Sequence, residues 1–242
     1  MLIRILPLLT GLLPVVAIHL SLVVAIHYGA VPSCFPYTEG CTSISATGRH
    51  EPASFIFKPA MMTSWGILVF YWLFNVAWLR SLARAGGRNA NIGTWMAAVG
   101  TTGAVALILY TTFLGTEAPF YEFMRRVGIY FYFGCTVIAQ IILARHTLSL
   151  AGALSLPETR RAGQAQMTLA LVPFVLGILN LVLKATLENA DRAENIIEWI
   201  FALLMQSYFL FTIIAWRETG FGGQFRVTLE RNQRPASGKK TV

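Results

Sequence analysis

Polar side chains that could do chemistry are concentrated in one stretch of the sequence, CTSISATGRHEPASFIF at residues 41–57. Ser43 and Ser45 could act as nucleophiles, but a serine is activated only by an adjacent base, and His50 is a candidate. The serine hydroxyls and the planar fork of Arg49 would equally suit a phosphate-bearing or hydroxyl-rich head group. The stretch therefore admits both a catalytic and a binding interpretation.

Three charged residues at predicted helix ends could extend this site. Glu117 follows the apolar run at 94–116, Arg126 lies near the start of the run at 123–147, and Glu198 lies near the start of the run at 195–217. Ionisable groups at or inside the membrane boundary are costly and often functional, and Glu117 is a second candidate base for a serine. We therefore predict a lipid site on the outer face, formed by Ser43, Ser45, Arg49, His50, Glu117, Arg126 and Glu198. Spacing alone assigns no catalytic residue.

Each of these residues also has a structural interpretation. Glu122 and Arg126 are four residues apart, which is the spacing of an ordinary helical ion pair. Glu198 could be a first-turn acid that favours the N-terminus of a helix. Ser43 and Ser45 could make turn hydrogen bonds.

Polar residues inside the apolar runs indicate packing rather than chemistry. His19 lies in the middle of the first run, and we expect a neutral histidine bonded to a neighbouring helix, since no partners for a proton relay can be identified. Hydrogen bonds between helices are expected from Asn75, Gln140, Asn180 and Gln206. No Cys/His spacing resembles a zinc site, so neither a metal nor a cofactor is predicted.

The composition indicates a membrane protein. Charged residues make up only 12% of the 242 residues and the mean hydropathy is +0.60, whereas soluble domains contain about 25% charged residues. Six continuous apolar runs are long enough to cross a bilayer, which takes about 20 residues: 5–29, 60–82, 94–116, 123–147, 167–187 and 195–217. We predict an all-α integral membrane bundle of six transmembrane helices over residues 1–217 and a basic cytoplasmic tail at 218–242.

The distribution of charge predicts the orientation of the bundle. With the N-terminus in the cytoplasm, most of the 19 Lys and Arg residues fall on the cytoplasmic side and most of the 11 Asp and Glu residues fall outside. Because cytoplasmic loops carry an excess of Lys and Arg, we predict that both termini are cytoplasmic. The pI of about 9.8 then reflects a basic inner rim that meets anionic lipid heads, and no nucleic-acid partner is predicted.

The cysteines agree with this orientation. Cys34 and Cys41 flank FPYTEG in the first outer loop, where a disulfide would be stable in an oxidising compartment. We predict that they are paired, and the alternative is two free thiols. Cys135 lies in the fourth run and is expected to be a small packing residue.

The opening stretch resembles one family of membrane proteins. This family includes the damage-regulated autophagy modulators (DRAM), the FRAG- and SFK-type proteins, a post-GPI-attachment lipid-remodelling factor and the N-terminal part of the CWH-type cell-wall protein. Its members carry an Ile-Ser, a Gly, a Pro and a Phe in the first outer loop. The matching residues here are Ile44, Ser45, Gly48, Pro52 and Phe57.

Two further segments resemble the same family, so that the resemblance covers nearly the whole chain. TTFLGTEAPFYEF is similar to the end of the third helix with its glutamate, here Glu117. IIEWIFALLMQSYFLF is similar to the opening of the last helix, here Glu198 and Trp199. The order and spacing of the three segments are more specific than any one of them.

The resemblance implies a protein concerned with lipids. One branch of the family remodels the fatty chains of GPI anchors and has histidines where this sequence has Arg126 and Phe209. Without those potential general bases, we expect a non-enzymatic membrane protein of lipid handling or regulation. The alternative is a lipid-remodelling enzyme that transfers or hydrolyses acyl chains on a GPI-like or phospholipid substrate.

The expected partners are membrane lipids, and the sequence names no protein partner. The expected localisation is the plasma membrane, as an integral multi-pass protein. This would be the inner membrane in a bacterium, and an endomembrane is also compatible in a eukaryote.

Overall fold

The computed structural model describes residues 2–186 and 189–222, and all the regular elements in these ranges are helical. After a single 3₁₀ turn at Leu2–Ile5, the helices are α1 (Leu6–His27), α2 (Pro36–Glu39), α3 (Ile44–Thr47), α4 (Ser54–Ala85), α5 (Thr94–Thr112), α6 (Pro119–Ala153), α7 (Pro157–Thr186) and α8 (Asp191–Glu218). Six of them are long and apolar enough to cross a membrane.

The predicted all-α bundle of six transmembrane helices is therefore confirmed, and the chain is an integral multi-pass membrane protein. The short helices α2 and α3 lie in the connection between α1 and α4. Of the predicted tail at 218–242, residues 223–242 lie outside the described residues.

Several helices begin earlier than the apolar runs, and for α7 a cap from a distant residue accounts for the early start. Helix α7 starts at Pro157, and proline is tolerated in a first turn because its missing N–H would have no helical partner there. The carboxylate of Glu218, at the end of α8, accepts hydrogen bonds from the N–H groups of Glu158 at 3.1 Å and Thr159 at 2.5 Å. Helix α8 therefore supplies the cap that the start of α7 needs.

The long helices follow one another around the bundle. Each packs against the next long helix along the chain, and α8 packs back against α1. Glycines permit close approach where the helices cross. A Cβ at Gly128 of α6 would lie 2.5 Å from the main-chain nitrogen of Tyr110 in α5, and a Cβ at Gly100 of α5 would overlap the ring of Trp72 in α4. Small residues at helix contacts are typical of membrane bundles.

Hydrogen bonds between helices cross the interior. Gln140 Nε2 in α6 donates to the main-chain oxygen of Met205 in α8 at 2.9 Å, and Gln206 Nε2 donates to the Tyr132 hydroxyl at 3.0 Å. Both glutamines thus behave as expected. Asn75 does not, because its Nδ2 donates to the oxygen of Tyr71, one turn earlier in the same helix.

The connection between α1 and α4, residues 28–53, lies across one end of the bundle. We name this end of the bundle the loop end. Two side chains from the first turns of α8 hold it there. Asn195 Nδ2 donates to the oxygen of Gly40 at 2.9 Å, and Trp199 Nε1 donates to the oxygen of Thr42 at 2.9 Å. The loop is thus an ordered cover that rests on α8.

Candidate functional site

The two cysteines of the loop end lie next to each other. The structure pairs Cys34 with Cys41, with their Cα atoms 6.5 Å apart, within the range of about 4.4–6.8 Å usual for disulfides. Gly40, just before Cys41, has a φ of 62° and packs against Arg192 of α8 so closely that a Cβ would overlap its main-chain oxygen. A left-handed backbone and this contact both require glycine here.

The two candidate serines make hydrogen bonds that stabilise the fold. Ser43 Oγ accepts a hydrogen bond from the N–H of Ala46 at 3.1 Å and so caps α3. Ser45 is buried, and its Oγ shares a hydrogen bond of 3.0 Å with the hydroxyl of Tyr110 in α5. The base candidate His50 is exposed and is not a hydrogen-bond partner of either serine. Ser45 therefore links α3 to the bundle.

Glu198 lies beneath this loop, one residue before the Trp199 that anchors it. The main-chain amides of Ile44 and Ser45, at the start of α3, approach its carboxylate. Arg125 of α6 lies within electrostatic range of both Glu198 and Tyr110. The sequence analysis included Arg126, whereas the arginine within electrostatic range of Glu198 is its neighbour Arg125.

A cavity of about 40 Å³ opens below α3, in the half of the bundle nearer the loop end. Its walls come from α1, α3, α4, α5, α6 and α8, and most of them are apolar. The polar residues in the lining are Tyr110, Tyr132, Glu198 and Gln206. A cavity needs about 10–15 Å³ to hold one water molecule, so this one has room for a few small groups and is too small for a lipid head group.

The other predicted site residues are on the surface. Arg49, His50 and Glu117 are exposed, and the oxygen of Arg49 would lie 3.0 Å from a Cβ at Gly115, so the segments that carry these side chains are neighbours. Arg126 pairs with Glu122 at 3.5 Å, with both side chains largely exposed. This is the ordinary helical pair that the spacing allowed, and such pairs contribute little. The seven predicted residues therefore form no single cluster.

His19 has a partner that the sequence did not reveal. Its Nδ1 lies 2.7 Å from the oxygen of Val15, and its Nε2 lies 3.0 Å from the hydroxyl of Tyr37 in α2. Because a carbonyl oxygen can only accept, Nδ1 carries a proton. Burial raises the pKa of Tyr37. His19 therefore bonds to the short helix α2 of the connection and not to a neighbouring membrane helix.

A lateral groove between α1, α2 and α8 contains this pair. It has a volume of about 730 Å³ and apolar walls, and it is lined by Val15, Val16, His19, Leu20, Phe35, Tyr37 and Leu203. His19 and Tyr37 are its polar members. No sequence signal marked the groove, because its residues come from three separate segments.

Two residues of the loop motif that carried the family resemblance, Gly48 and Phe57, are in contact in the structure. A Cβ at Gly48 would overlap the ring of Phe57, which is 1% exposed. Phe57 in turn packs edge-on against Tyr110, with ring centroids 6.4 Å apart. The loop motif that resembles the family thus packs the loop end against α4 and α5.

Among residues 2–186 and 189–222, no group of three His, Cys, Asp or Glu side chains is placed to hold a metal ion.

Comparison with known proteins identifies the family of the chain. No curated protein and no solved structure matches the chain. The family model described as Frag1/DRAM/Sfk1/Cwh43P N-terminal domain matches residues 3–218, which include all six long helices. The chain belongs to this family.

Proposed function

We propose that the protein handles membrane lipids without catalysing a reaction on them, and that a lipid chain lies in the lateral groove between α1, α2 and α8. The groove is the observation that carries the proposal. Its volume of about 730 Å³ falls within the range of roughly 300–1,000 Å³ usual for small-molecule sites. Val16 and Leu20 in its wall are about half exposed on a membrane-spanning helix, so the groove opens towards lipid.

The pair of His19 and Tyr37 in the groove could hydrogen-bond to a polar group of the lipid next to its acyl chain. The Tyr37 hydroxyl shares a hydrogen bond with His19 Nε2 at 3.0 Å, and its oxygen has a further lone pair that can accept a hydrogen bond. A lipid hydroxyl could donate to it. Apolar walls with a few placed polar groups are the usual composition of a ligand site.

The loop end is proposed to face outwards and to meet lipid heads. Arginines are concentrated at the opposite end of the bundle, at Arg80, Arg84, Arg88, Arg145, Arg160, Arg161 and Arg217, which favours a cytoplasmic position for that end. The exposed Arg49, His50, Glu117 and Arg126 would then form the polar rim on the outer side. We propose the plasma membrane as the location.

The contacts of the serines favour binding over catalysis. Acyl transfer requires a nucleophile within hydrogen-bond reach of a base. Ser45 shares its hydrogen bond with a tyrosine hydroxyl, and Ser43 Oγ is engaged by a main-chain N–H. The alternative of a lipid-remodelling enzyme would need a rearrangement that brings His50 or Glu117 to one of them.

Photo-crosslinking with a lipid that carries a diazirine in its acyl chain tests the proposal. Leu203→Trp should reduce labelling of α1, α2 and α8 by about tenfold, because the larger side chain narrows the groove and removes lipid contacts. Ile214→Trp is the matched control, because Ile214 lies on the same helix, is 40% exposed and is outside the groove. Equal labelling of the two variants and the wild type would refute lipid binding in the groove.

Whole-cell lipidomics separates binding from catalysis. The strains would be a deletion, the deletion with wild type restored, and the deletion with Leu203→Trp. The proposal predicts unchanged acyl-chain composition within each lipid class. A change in one class that only the wild type reverses would support the enzyme alternative and would identify its substrate.

A further inference from the structure

The wall of the lateral groove offers no Lys or Arg to a ligand. Among the residues that the structure describes, those that line the groove include neither type. Along α8, the basic residue nearest to Leu203 is Arg192, eleven residues earlier, which is about 16 Å at 1.5 Å per residue. A carboxylate, in contrast, is bonded to the lining, because Glu39 Oε1 accepts a hydrogen bond of 2.8 Å from the N–H of Phe35. A phosphate group in the groove would therefore lack a counter-charge.

The polar pair of the groove lies well below the loop end. His19 is eight residues before His27, the last residue of α1, and so lies about 12 Å further into the bundle. Tyr37 reaches it from α2, with its hydroxyl 3.0 Å from Nε2. A charged group at this depth in a membrane would lose most of its hydration, which costs far more than the transfer of a hydroxyl. The position of the pair therefore favours an uncharged polar group on the ligand.

The hydrogen bonds of the pair leave one polar atom for a ligand. Both ring nitrogens of His19 are engaged, Nδ1 with the oxygen of Val15 at 2.7 Å and Nε2 with the Tyr37 hydroxyl. The Tyr37 oxygen has a further lone pair, whichever of the two partners holds the proton between them. A lipid hydroxyl can donate to this oxygen. Ester and phosphodiester oxygens only accept, so they cannot use that lone pair.

The Tyr37 ring is held in place by its aromatic neighbours. It stacks on the ring of His19 with centroids 6.0 Å apart, and it meets the rings of Trp199 and Phe35 at 5.4 Å. The disulfide between Cys34 and Cys41 closes the segment that contains α2. A polar atom that is already fixed binds its partner at a smaller cost in conformational entropy. The hydroxyl of Tyr37 is thus suited to distinguish one lipid class from another.

We propose that the groove selects an uncharged lipid with a free hydroxyl next to its acyl chains, such as a diacylglycerol, over a phospholipid. The lipid hydroxyl donates to the Tyr37 oxygen, and the chains lie along the apolar side chains of Val16, Leu20 and Leu203. This inference rests on the lipid function proposed above and adds to it the class of lipid.

The experiment compares three photoactivatable lipids with the same diazirine-bearing acyl chain. They are a diacylglycerol with its free hydroxyl, the acetyl ester of that diacylglycerol, and the corresponding phosphatidic acid. Each is added at the same mole fraction to phosphatidylcholine nanodiscs that contain the purified full chain. Labelling of α1, α2 and α8 by the diacylglycerol should exceed labelling by each of the other two about fivefold, which is the scale of one hydrogen bond.

Tyr37→Phe should reduce labelling by the diacylglycerol to the level of its acetyl ester, because the ring remains and its oxygen is lost. Tyr28→Phe is the matched control, since Tyr28 is 64% exposed and lies outside the groove, and it should keep the wild-type preference. The comparison of the three lipids on the wild type needs no variant, so the test holds even if Tyr37→Phe is unstable.

The outcomes separate this inference from the lipid function itself. Equal labelling by the three lipids, or strongest labelling by phosphatidic acid, would overturn the selection for a hydroxyl. A preference for the diacylglycerol that survives in Tyr37→Phe would also overturn it. In these cases lipid binding in the groove still stands if Leu203→Trp reduces the labelling. If Leu203→Trp leaves labelling by all three lipids unchanged, the proposed function fails, and the inference fails with it.

Discussion

The indole nitrogen of Trp199 donates a hydrogen bond of 2.9 Å to the main-chain oxygen of Thr42. Trp199 belongs to the last membrane helix and Thr42 to the loop after the first, and both residues are buried. This hydrogen bond connects the loop that covers the bundle to α8, the helix that carries Glu198. Because Ser45 is three residues beyond Thr42 and bonds to Tyr110, one short segment is fixed to α5 and α8 at once.

Removal of the indole N–H from Trp199 should loosen this cover. Trp199→Phe keeps an aromatic ring but leaves the buried Thr42 oxygen without its donor, which should lower the free energy of unfolding by about 1–3 kcal/mol. Reversible unfolding in mixed detergent micelles measures the change. Trp95→Phe is the control, because Trp95 is 81% exposed, and it should change the free energy by less than about 0.5 kcal/mol. Equal losses in the two variants would contradict a specific role for the bond.

A methyl group at Gly48 should disturb the packing of the loop on α4. A Cβ there would overlap the ring of Phe57, so Gly48→Ala should cost about 1–3 kcal/mol of stability through overpacking. Gly134→Ala is the matched control, because that helical glycine faces open space and alanine there should be neutral or favourable by about 0.5–1 kcal/mol. The same unfolding measurement checks both. A tolerated Gly48→Ala would show that the Phe57 ring can move.

The number and type of membrane helices could be predicted from the sequence because they depend on local composition. A run of apolar residues must form a helix in lipid whatever it packs against. The ends of the helices depend on partners distant in sequence. Helix α7 begins at Pro157 because Glu218, at the far end of α8, caps it. Nothing near Pro157 in the sequence indicates that cap.

The candidate site was only partly predictable, for a similar reason. Polarity and position single out Ser45 and Glu198, and the main-chain amide of Ser45 approaches the Glu198 carboxylate. They also single out Glu117 and Arg126, which the fold leaves on the surface. The side that a residue faces depends on the rotation of its helix about the helix axis, so two adjacent residues can face different sides. Arg125 and Arg126 illustrate this, since Arg125 lies within electrostatic range of Glu198 and Arg126 pairs with Glu122.

The disulfide of the loop end can be checked directly. Mass spectrometry of peptides from freshly isolated, non-reduced membranes should find Cys34 joined to Cys41, because their Cα atoms are 6.5 Å apart in one ordered loop. Cys135 is the internal control, since it is a free thiol in the structure and should be alkylated once the protein is unfolded. Alkylation of Cys34 and Cys41 without prior reduction would contradict the pairing.

The bond between Tyr37 and His19 should hold α2 against the groove. In a double-mutant cycle of Tyr37→Phe and His19→Gln, each single change leaves the other residue's polar group without its partner, whereas the double change removes the pair. The two effects on the free energy of unfolding should therefore be non-additive by about 0.5–3 kcal/mol. The control cycle pairs His19→Gln with Tyr28→Phe, whose exposed ring follows nine residues after His19, about 13 Å along the helix, and these two changes should be additive within about 0.5 kcal/mol. Additivity in both cycles would mean that the bond between Tyr37 and His19 does not hold α2 in place. The position of Tyr37 in the wall of the groove would then depend on the Cys34–Cys41 disulfide and on the hydrogen bond of Asn195.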